Sequence, residues 1–329
     1  MKIRTFIAVS LIVLLAAGSA YAGKVTMNLG YAGAEGCTYS FLADKFEELA
    51  EKYSNNTIDV KVRCCTQLCT EDEAFKAMQL GTVDMYIITS NNISPHFPLM
   101  DAFVLPYIFQ NKEHTYKVLE GPIGKEFAEQ LRKATSVYLM TYGFVGHRDF
   151  YTSVRPINKM ADMKGIKVRV PKNQVMIETF RAFGAAPIPL AWADTPTALQ
   201  TGTVQGADNG TSFIKSQKFY ELADNLAILE HFSYFSPLFA SPRVIGKLSD
   251  EQKKAVFRAA DEAGQYHRDV MQKQISEIRE FLGTKGKMAV TYPDKTEFIK
   301  AAIKVQDAYV ADKGADFKAL VDKIRAAAK

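Results

Sequence analysis

The chain has 329 residues, of which 47% are hydrophobic and 23% charged, and its formal net charge is +5. The length suggests about two domains, and the composition is that of a globular protein with a hydrophobic core, which excludes disordered, collagen-like and disulfide-dense proteins. Basic residues are mixed with acidic ones throughout, whereas nucleic-acid binders concentrate them in a patch or stripe, so we exclude nucleic acid as a partner.

The N-terminus has the three parts of a secretory signal peptide. Lys2 and Arg4 precede an apolar run of about a dozen residues and a small-residue cleavage site, Ala20-Tyr21-Ala22. That run is shorter than the ~20 residues that span a bilayer, although an uncleaved anchor helix is the alternative. We predict a signal peptide at 1–22, cleavage after Ala22 and export to the periplasm. Cleavage removes two basic residues and no acid, which lowers the net charge from +5 to +3.

The sequence of the first half of the mature chain predicts alternating strands and helices. The strands are predicted at Val25–Tyr31, Thr57–Val62, Val83–Thr89 and Ser136–Val145. The helices are predicted at Thr38–Tyr53, Glu71–Leu80, 113–119 and 122–133. The alternation of the first three strands with the first two helices predicts a parallel sheet with helices on its faces.

The connections between these elements hold all four cysteines of the chain: Cys37, Cys64, Cys65 and Cys69. An even number of cysteines in an oxidising compartment predicts disulfides, with three possible pairings. Adjacent residues rarely form a bridge, so Cys64–Cys65 is the least favoured pair, whereas Cys37 with either of them would join two neighbouring loops. A zinc site and a catalytic cysteine are the alternatives, but the cluster has neither a neighbouring histidine nor a Cys-x-x-Cys motif.

A second alternating series follows in the middle of the chain. It consists of strands at Lys167–Arg169, Ala186–Leu190 and Gly206–Asn209 and of helices at Asn173–Phe183 and Thr195–Thr201. Two such series predict two α/β domains with a cleft between them. Ligands of open α/β sheets bind beyond the carboxyl ends of the strands.

A long helix is predicted to begin after Ser249, with Gln252 at the capping-box position, and to end at Gly283. It has about 33 residues and a length of roughly 50 Å, which is enough to cross both domains. A coiled coil is the alternative, but Gly264 and Gln265 interrupt the heptad pattern.

No catalytic motif is present: the sequence lacks GxSxG, HExxH, a Walker loop and a GxGxxG that opens a strand–helix unit. The histidines are scattered without metal-ligand spacing and are interpreted as surface or packing residues; they are His96, His114, His147, His231 and His267. Asp208 has no partner acid or nucleophile nearby in the sequence. These features favour a binding protein without cofactor or metal over an enzyme.

Three motifs occur together: DMKGIKVRVP at 162–171, ALQTG at 198–202 and VQGADN at 204–209. With TQLCTEDEAFKAMQLGTVDM, DAFVLPYIF and SQKFYELADNLAI, they make the chain resemble the solute-binding proteins of tripartite ATP-independent periplasmic (TRAP) transporters, the DctP-like family. The resemblance covers essentially the whole mature chain.

The resemblance implies an α/β, two-lobed periplasmic-binding-protein fold with a hinged cleft and a long helix that spans both lobes. We predict lobe I at 23–146 plus about 235–274, and lobe II at 147–234 plus about 275–329. The family implies a monomer that traps a small organic acid, a carboxylate, by closing and delivers it to the TRAP membrane permease subunits. The alternatives are an exported sensor subunit that presents the solute to a membrane receptor and an exported α/β enzyme.

The family's ligand-binding pattern transfers to particular residues. By resemblance, Arg169 forms a bidentate bridge to the ligand carboxylate, because a planar guanidinium matches a carboxylate. Arg148 is the second family arginine, with a structural ion pair as its alternative role. Asn209 offers an amide donor and acceptor to the ligand.

Further residues are expected around the same cleft. Trp192 and Phe213 are expected as apolar walls, with hinge or core packing as their alternative. Tyr31, Glu71, Thr89 and Ser90 are expected at strand ends that face the cleft from the first lobe; Ala32 and Asn91 are their neighbours. Three residues of the chain depart from the common family pattern: Gln205, Asp208 and Cys69. Ala32 occupies a position where binders of sugar acids can place a polar side chain. These departures favour a less hydroxylated carboxylate.

Overall fold

Strands and helices alternate through both halves of the computed structural model, which describes residues 24–328. The predicted signal peptide lies outside these residues. The strands are β1 Val25–Tyr31, β2 Ile58–Arg63, β3 Met85–Ile87, β4 Tyr138–Thr152, β5 Lys167–Val170, β6 Ala186–Pro189, β7 Gly206–Gly210, β8 Asn225–Ala240 and β9 Ala289–Thr291. The α-helices are α1 Thr38–Tyr53, α2 Glu71–Leu80, α3 Asp101–Val104, α4 Lys112–Leu119, α5 Pro122–Thr135, α6 Gln174–Ala182, α7 Thr195–Gln200, α8 Thr211–Ser216, α9 Pro242–Lys247, α10 Asp250–Thr284, α11 Thr296–Asp312 and α12 Ala315–Ala326.

The strands form a sheet with the order β2-β1-β3-β8-β4-β7-β5-β6, and β9 pairs with β8. In the first series β1 is parallel to both β2 and β3, and in the second series β5 is parallel to both β6 and β7. Each predicted α/β series is therefore present. The predicted two-lobed α/β class is confirmed.

Two long antiparallel strands join the two series. β4 continues through Thr152, beyond the predicted end at Val145, and β8 is a strand that the sequence pattern did not reveal. Their pairing runs from Tyr138 opposite Ala240 to Thr152 opposite Asn225. β8 pairs with β3 at one end, while β4 pairs with β7 at the other, so both strands pass from one lobe to the other.

Helix α10 crosses the molecule on one face of this sheet. Its Ser249 cap is as predicted, because the Gln252 backbone N donates to the Ser249 Oγ and the Ser249 N donates to the Gln252 Oε1. The helix contacts α1 and β4 on one side and α8 and β9 on the other. Gly283 does not end it: the helix continues to Thr284, since Gly283 keeps a right-handed backbone.

Hydrophobic side chains fill the space between the helices and the sheet. Phe46 of α1 and Val256 of α10 are fully buried in the cluster between these two helices and the sheet. Each such side chain stabilises the fold by about 1.5–3 kcal/mol. Between residues 24 and 328, no helix is long and apolar enough to cross a membrane.

The C-terminal helices contact both halves of the chain. α11 packs on α6 of the second series, whereas α12 packs on α3 and α5 of the first half. The His114 Nε2 lies 2.8 Å from the backbone O of Ile324 at this junction. The proposed lobe boundaries remain predictions.

Gly264, which breaks the heptad pattern, allows α10 to lie directly against β4. A Cβ at this position would overlap the Thr141 Oγ1 and lie 3.2 Å from the Thr141 Cβ. The close approach therefore requires the absence of a side chain at position 264.

We expect Gly264→Ala to lower the free energy of unfolding by about 1–3 kcal/mol, because the added methyl group overpacks the contact with Thr141. This reverses the usual effect, since Gly-to-Ala in a helix interior stabilises by roughly 0.5–1 kcal/mol. Urea unfolding measures the difference. The control is Gly246→Ala in α9, where no heavy atom lies within 4 Å of the added Cβ. A stabilised Gly264→Ala protein would contradict the packing described here.

Candidate functional site

A small cavity lies where strand ends from both lobes meet. Its volume is about 20 Å³, which is room for about one water molecule. The lining residues come from both series: Ala32, Gly33, Tyr39, Glu71, Thr89, Asn91, Asn92, Arg148, Arg169, Pro171, Trp192, Asn209, Phe213 and Tyr234. Residues of both α/β series thus surround this cavity.

Asn173 holds the two lobes together beside this cavity. Its Nδ2 donates to the Asn91 backbone O, the Ser94 Oγ and the Asp101 Oδ1 at 3.0–3.2 Å. Its Oδ1 accepts from the Met176 N and so caps α6. One buried amide therefore joins the start of a lobe II helix to three groups of the first half.

Arg148 forms a buried ion pair with Asp208. Its Nε and Nη2 donate to the carboxylate at 2.6 and 3.1 Å, and Nη2 also donates to the Asp208 backbone O. Burial acts to raise the pKa of Asp208, but the Arg148 charge outweighs it and holds that pKa well below its usual range. The His231 Nε2 lies 3.2 Å from the Asp208 Oδ2. Asp208 thus neutralises Arg148.

Arg169 is equally buried but has a different partner. Its Nε and Nη2 both donate to the backbone O of Leu190, at 3.1 and 2.8 Å. In the described part of the chain, no carboxylate lies within ion-pair distance of this guanidinium. Burial lowers the pKa of Arg169, and the nearby charge of Arg148 lowers it further. The cavity therefore contains one neutralised guanidinium and one that is available to an anion.

Aromatic rings form the walls next to the two arginines. The Arg169 Cζ lies 5.7 Å from the Trp192 ring centre, and the Arg148 Cζ lies 5.0 Å from that of Tyr234. Phe213 packs edge-on against Trp192 and against Tyr39. Such rings stabilise guanidinium groups and provide apolar surface for a ligand.

Glu71 is a buried acid at the start of α2. Its Oε1 accepts hydrogen bonds from the backbone N and the Oγ1 of Thr89. Burial raises the pKa of Glu71. The Thr89 Oγ1 also lies 3.1 Å from the Tyr39 hydroxyl, which in turn lies 2.8 Å from that of Tyr234. A chain of hydrogen bonds therefore leads from Glu71 to the ring beside Arg148.

Asn209 lines the cavity from the end of β7. Its Oδ1 accepts from the backbone N of Gly210 at 2.9 Å. This bond engages the carbonyl of the side chain and leaves the amide N–H groups as donors for a ligand oxygen.

Seven of the nine residues predicted to bind the ligand line this cavity: Arg169, Arg148, Asn209, Trp192, Phe213, Glu71 and Thr89. Tyr31 and Ser90 are buried beside it, and the Tyr31 hydroxyl lies 2.9 Å from the Ser40 Oγ. Their roles in ligand binding remain predictions. Sequence reasoning missed Tyr39, Tyr234 and His231, and no local motif marks them, because helix α1 and strand β8 bring them to the site.

The disulfide prediction is not met: all four cysteines are free thiols. Cys37 is buried in the hydrophobic cluster between α1 and the sheet. Its sulfur packs closely against Gly33, since a Cβ added to Gly33 would lie 2.5 Å from that sulfur. Cys65 is exposed, and Cys69 packs against the separate hydrophobic cluster that contains Phe75. Cys64 packs against the same cluster as Cys37, but no bond joins the two sulfurs. Within residues 24–328, no group of three or more His, Cys, Asp or Glu side chains is arranged to hold a metal.

The sequence profile of DctP, described as bacterial extracellular solute-binding protein, family 7, matches residues 30–313. A solute-binding protein of Roseobacter denitrificans is 31% identical over 98% of both chains. The 2,3-diketo-L-gulonate-binding periplasmic protein YiaO of Escherichia coli is 28% identical over 91% of this chain and 92% of its own. A TRAP periplasmic solute-binding protein of Polaromonas, solved with D-erythronate, has a TM-score of 0.87 and 28% identity over 92% of this chain and 98% of its own.

We expect Asp208→Asn to lower the free energy of unfolding by about 3–5 kcal/mol, because it leaves the Arg148 charge buried without its partner. Denaturant unfolding of the ligand-free protein measures the loss. The control is Arg169→Met, which leaves the Leu190 carbonyl without a donor but also removes a buried charge that has no counter-ion, so we expect a smaller loss than in Asp208→Asn. Equal losses in the two variants would show that Arg148 does not depend on Asp208.

Proposed function

The chain belongs to the DctP family of bacterial extracellular solute-binding proteins, and on this premise we propose that it captures a small organic carboxylate between its lobes for a TRAP transporter. Proteins of this family bind solutes and are not enzymes. The two-lobed fold and the cavity shared by both lobes support capture by closure.

The Arg169 guanidinium carries this proposal. It is buried at a cavity lined by both lobes, and a backbone carbonyl is its hydrogen-bond partner. A buried charge that lacks a counter-ion is unfavourable, and a ligand carboxylate supplies that counter-ion through two parallel hydrogen bonds. The free energy of closing the lobes thus depends on an anion between them.

The remaining lining residues indicate which carboxylates fit. Asn209 and Glu71 offer polar contacts to a hydroxyl group of the ligand, whereas Trp192, Phe213 and Ala32 provide apolar surface. Similar proteins have been solved with D-erythronate, L-galactonate and succinate. We infer a compact organic acid with few hydroxyl groups as the ligand.

Transport requires a membrane partner, and the family's membrane subunits are the proposed recipients of the solute. The proposed oligomeric state is a monomer, as the resemblance to the family implies. Its size in solution is measured by size-exclusion chromatography with light scattering.

We expect Arg169→Met to weaken binding of the preferred organic acid at least about 100-fold, or about 2.7 kcal/mol, because the ligand loses its charged bidentate partner. Thermal shift identifies the acid from a panel of D-erythronate, L-galactonate, D-glucuronate, succinate and pantoate, and calorimetry gives Kd.

Arg169→Lys keeps the charge but lacks the planar fork, so we expect an intermediate loss. Arg181→Met, on the exposed face of α6, is the matched control and should bind as the unchanged protein does. Normal affinity in Arg169→Met would refute the carboxylate clamp.

We also propose cleavage of a signal peptide at 1–22, since the family is extracellular. In a Gram-negative host that expresses the full chain, protein from the periplasmic fraction is expected to begin at Gly23. N-terminal sequencing checks the position, and mass spectrometry checks the loss of 1–22. A periplasmic protein that keeps Met1 would contradict the predicted cleavage.

A further inference from the structure

β8 bulges away from β4 next to the cavity. Arg148 pairs with Phe232 and Phe150 pairs with Ala227, so four residues of β8 lie opposite the single residue Asp149. Glu230, within this bulge, has a left-handed backbone with φ of 51°. Bulges of this kind redirect side chains and are often found beside functional sites.

A cluster of charged groups holds the bulge from behind. The Asp149 Oδ1 accepts from the Glu230 backbone N at 3.0 Å, and its Oδ2 accepts from the Arg279 Nη2 at 3.1 Å. The Glu230 carboxylate accepts from the Arg279 Nη2 and from the Lys295 Nζ at 2.8 and 2.7 Å. Tyr107 adds a backbone bond, from its N to the His231 O at 2.9 Å. The cluster thus joins β4 and β8 to α10 and to the residue that precedes α11.

Tyr107 also supports the bulge on this side, because its hydroxyl donates to the Leu229 backbone O at 3.0 Å. A cavity of about 1010 Å³ lies behind the bulge, and Glu230, Arg279, Lys295 and His147 are among the lining residues. Asp149 itself is fully buried. Burial raises the pKa of Asp149 to about 6, while Arg279 acts to lower it. Arg279 therefore favours the charged form of this carboxylate.

The other side of the same strands faces the ligand cavity. Consecutive side chains of a strand point to opposite faces, so Asp149 meets the charged cluster while Arg148 meets Asp208. The adjacent residues Glu230 and His231 of β8 also point to opposite faces. Glu230 belongs to the charged cluster, whereas the His231 Nε2 contacts the Asp208 Oδ2 at 3.2 Å. Two pairs of adjacent residues, Arg148–Asp149 and Glu230–His231, thus connect the charged cluster to the other side of the strands.

We propose that Asp149 and Arg279 are positioning residues for ligand recognition: they hold the β8 bulge in the shape that places His231 against Asp208, the partner of the Arg148 guanidinium. This inference rests on the proposed function, since it concerns the affinity of the same cavity. Asp208 then orients Arg148, His231 contacts Asp208, and Asp149 and Arg279 hold the bulge that contains His231.

The first test needs no ligand. The Arg148 Nε–H donates to the Asp208 Oδ2, so its nitrogen NMR signal, assigned by its loss in Arg148→Lys, reports on that bond. We expect the signal to shift and to exchange faster with water in Asp149→Asn and in Arg279→Met, and to be partly restored in Arg279→Lys. The Arg169 Nε–H signal serves as the internal reference and should stay in place.

Two control variants separate positioning from general destabilisation. Arg258→Met changes an arginine on the exposed face of α10, paired with Glu262 at 2.8 Å, and should leave the Arg148 signal unchanged. Leu282→Ala removes a buried side chain of the same helix and lowers Tm without touching the cluster. It should also leave the signal unchanged at temperatures well below its Tm.

The second test is affinity for the acids of the panel above. We expect Kd to rise at least tenfold in Asp149→Asn and Arg279→Met and less than twofold in Arg258→Met. An Arg148 signal that is unchanged in both cluster variants would overturn the inference, whether or not a ligand is known. A shifted signal with unchanged affinity would overturn it as well. If the unchanged protein binds none of the acids, the proposed function fails, and the NMR result still decides whether the cluster positions Arg148.

Discussion

The buried pair of Arg148 and Asp208 determines how the rest of the cleft is built. A guanidinium removed from water costs several kcal/mol, and only a close carboxylate with good hydrogen-bond geometry offsets this. Asp208 meets the requirement because β7 pairs with β4 in a register that places it opposite Phe150, two residues beyond Arg148. The ion pair thus requires the antiparallel pairing of β4 with β7. β4 is also one of the two long strands that join the two α/β series.

Under the proposed function, the second arginine gives the cleft its selectivity for a carboxylate. Arg148 is already neutralised, so an anion that enters the cavity finds its counter-charge at Arg169, whose hydrogen-bond partner is a backbone carbonyl. Trp192 and Phe213 exclude water from this contact and thereby strengthen it. Recognition of a carboxylate and closure of the lobes are therefore linked, because the same ligand charge that pairs with Arg169 removes an unfavourable buried charge.

Closure in turn depends on elements that belong to both lobes. Strands β4 and β8 carry cavity residues on one side and the Asp149–Arg279 cluster on the other, so the position of α10 is coupled to the shape of the cleft. Gly264 brings α10 into direct contact with β4, and Asn173 joins the lobes at the cavity rim. The paired strands β4 and β8 thus have side-chain contacts on both faces of the sheet.

The sequence by itself determined the two α/β series, the long capped helix and the two arginines, because hydrophobic periodicity, caps and short motifs are local properties of the chain. It also located seven residues of the cavity, mostly through the resemblance to the family's motifs; Glu71 and Thr89 were expected because parallel strands place their carboxyl ends at one edge. It did not predict β8, whose nearly continuous burial hides the alternation that marks a strand, and it extended a disulfide rule to four cysteines that are free thiols in the structure. Only the tertiary structure decided that Asp208 neutralises Arg148 while Arg169 has no carboxylate partner. That difference arises from strand pairing between distant segments, which the composition and spacing of either segment do not record.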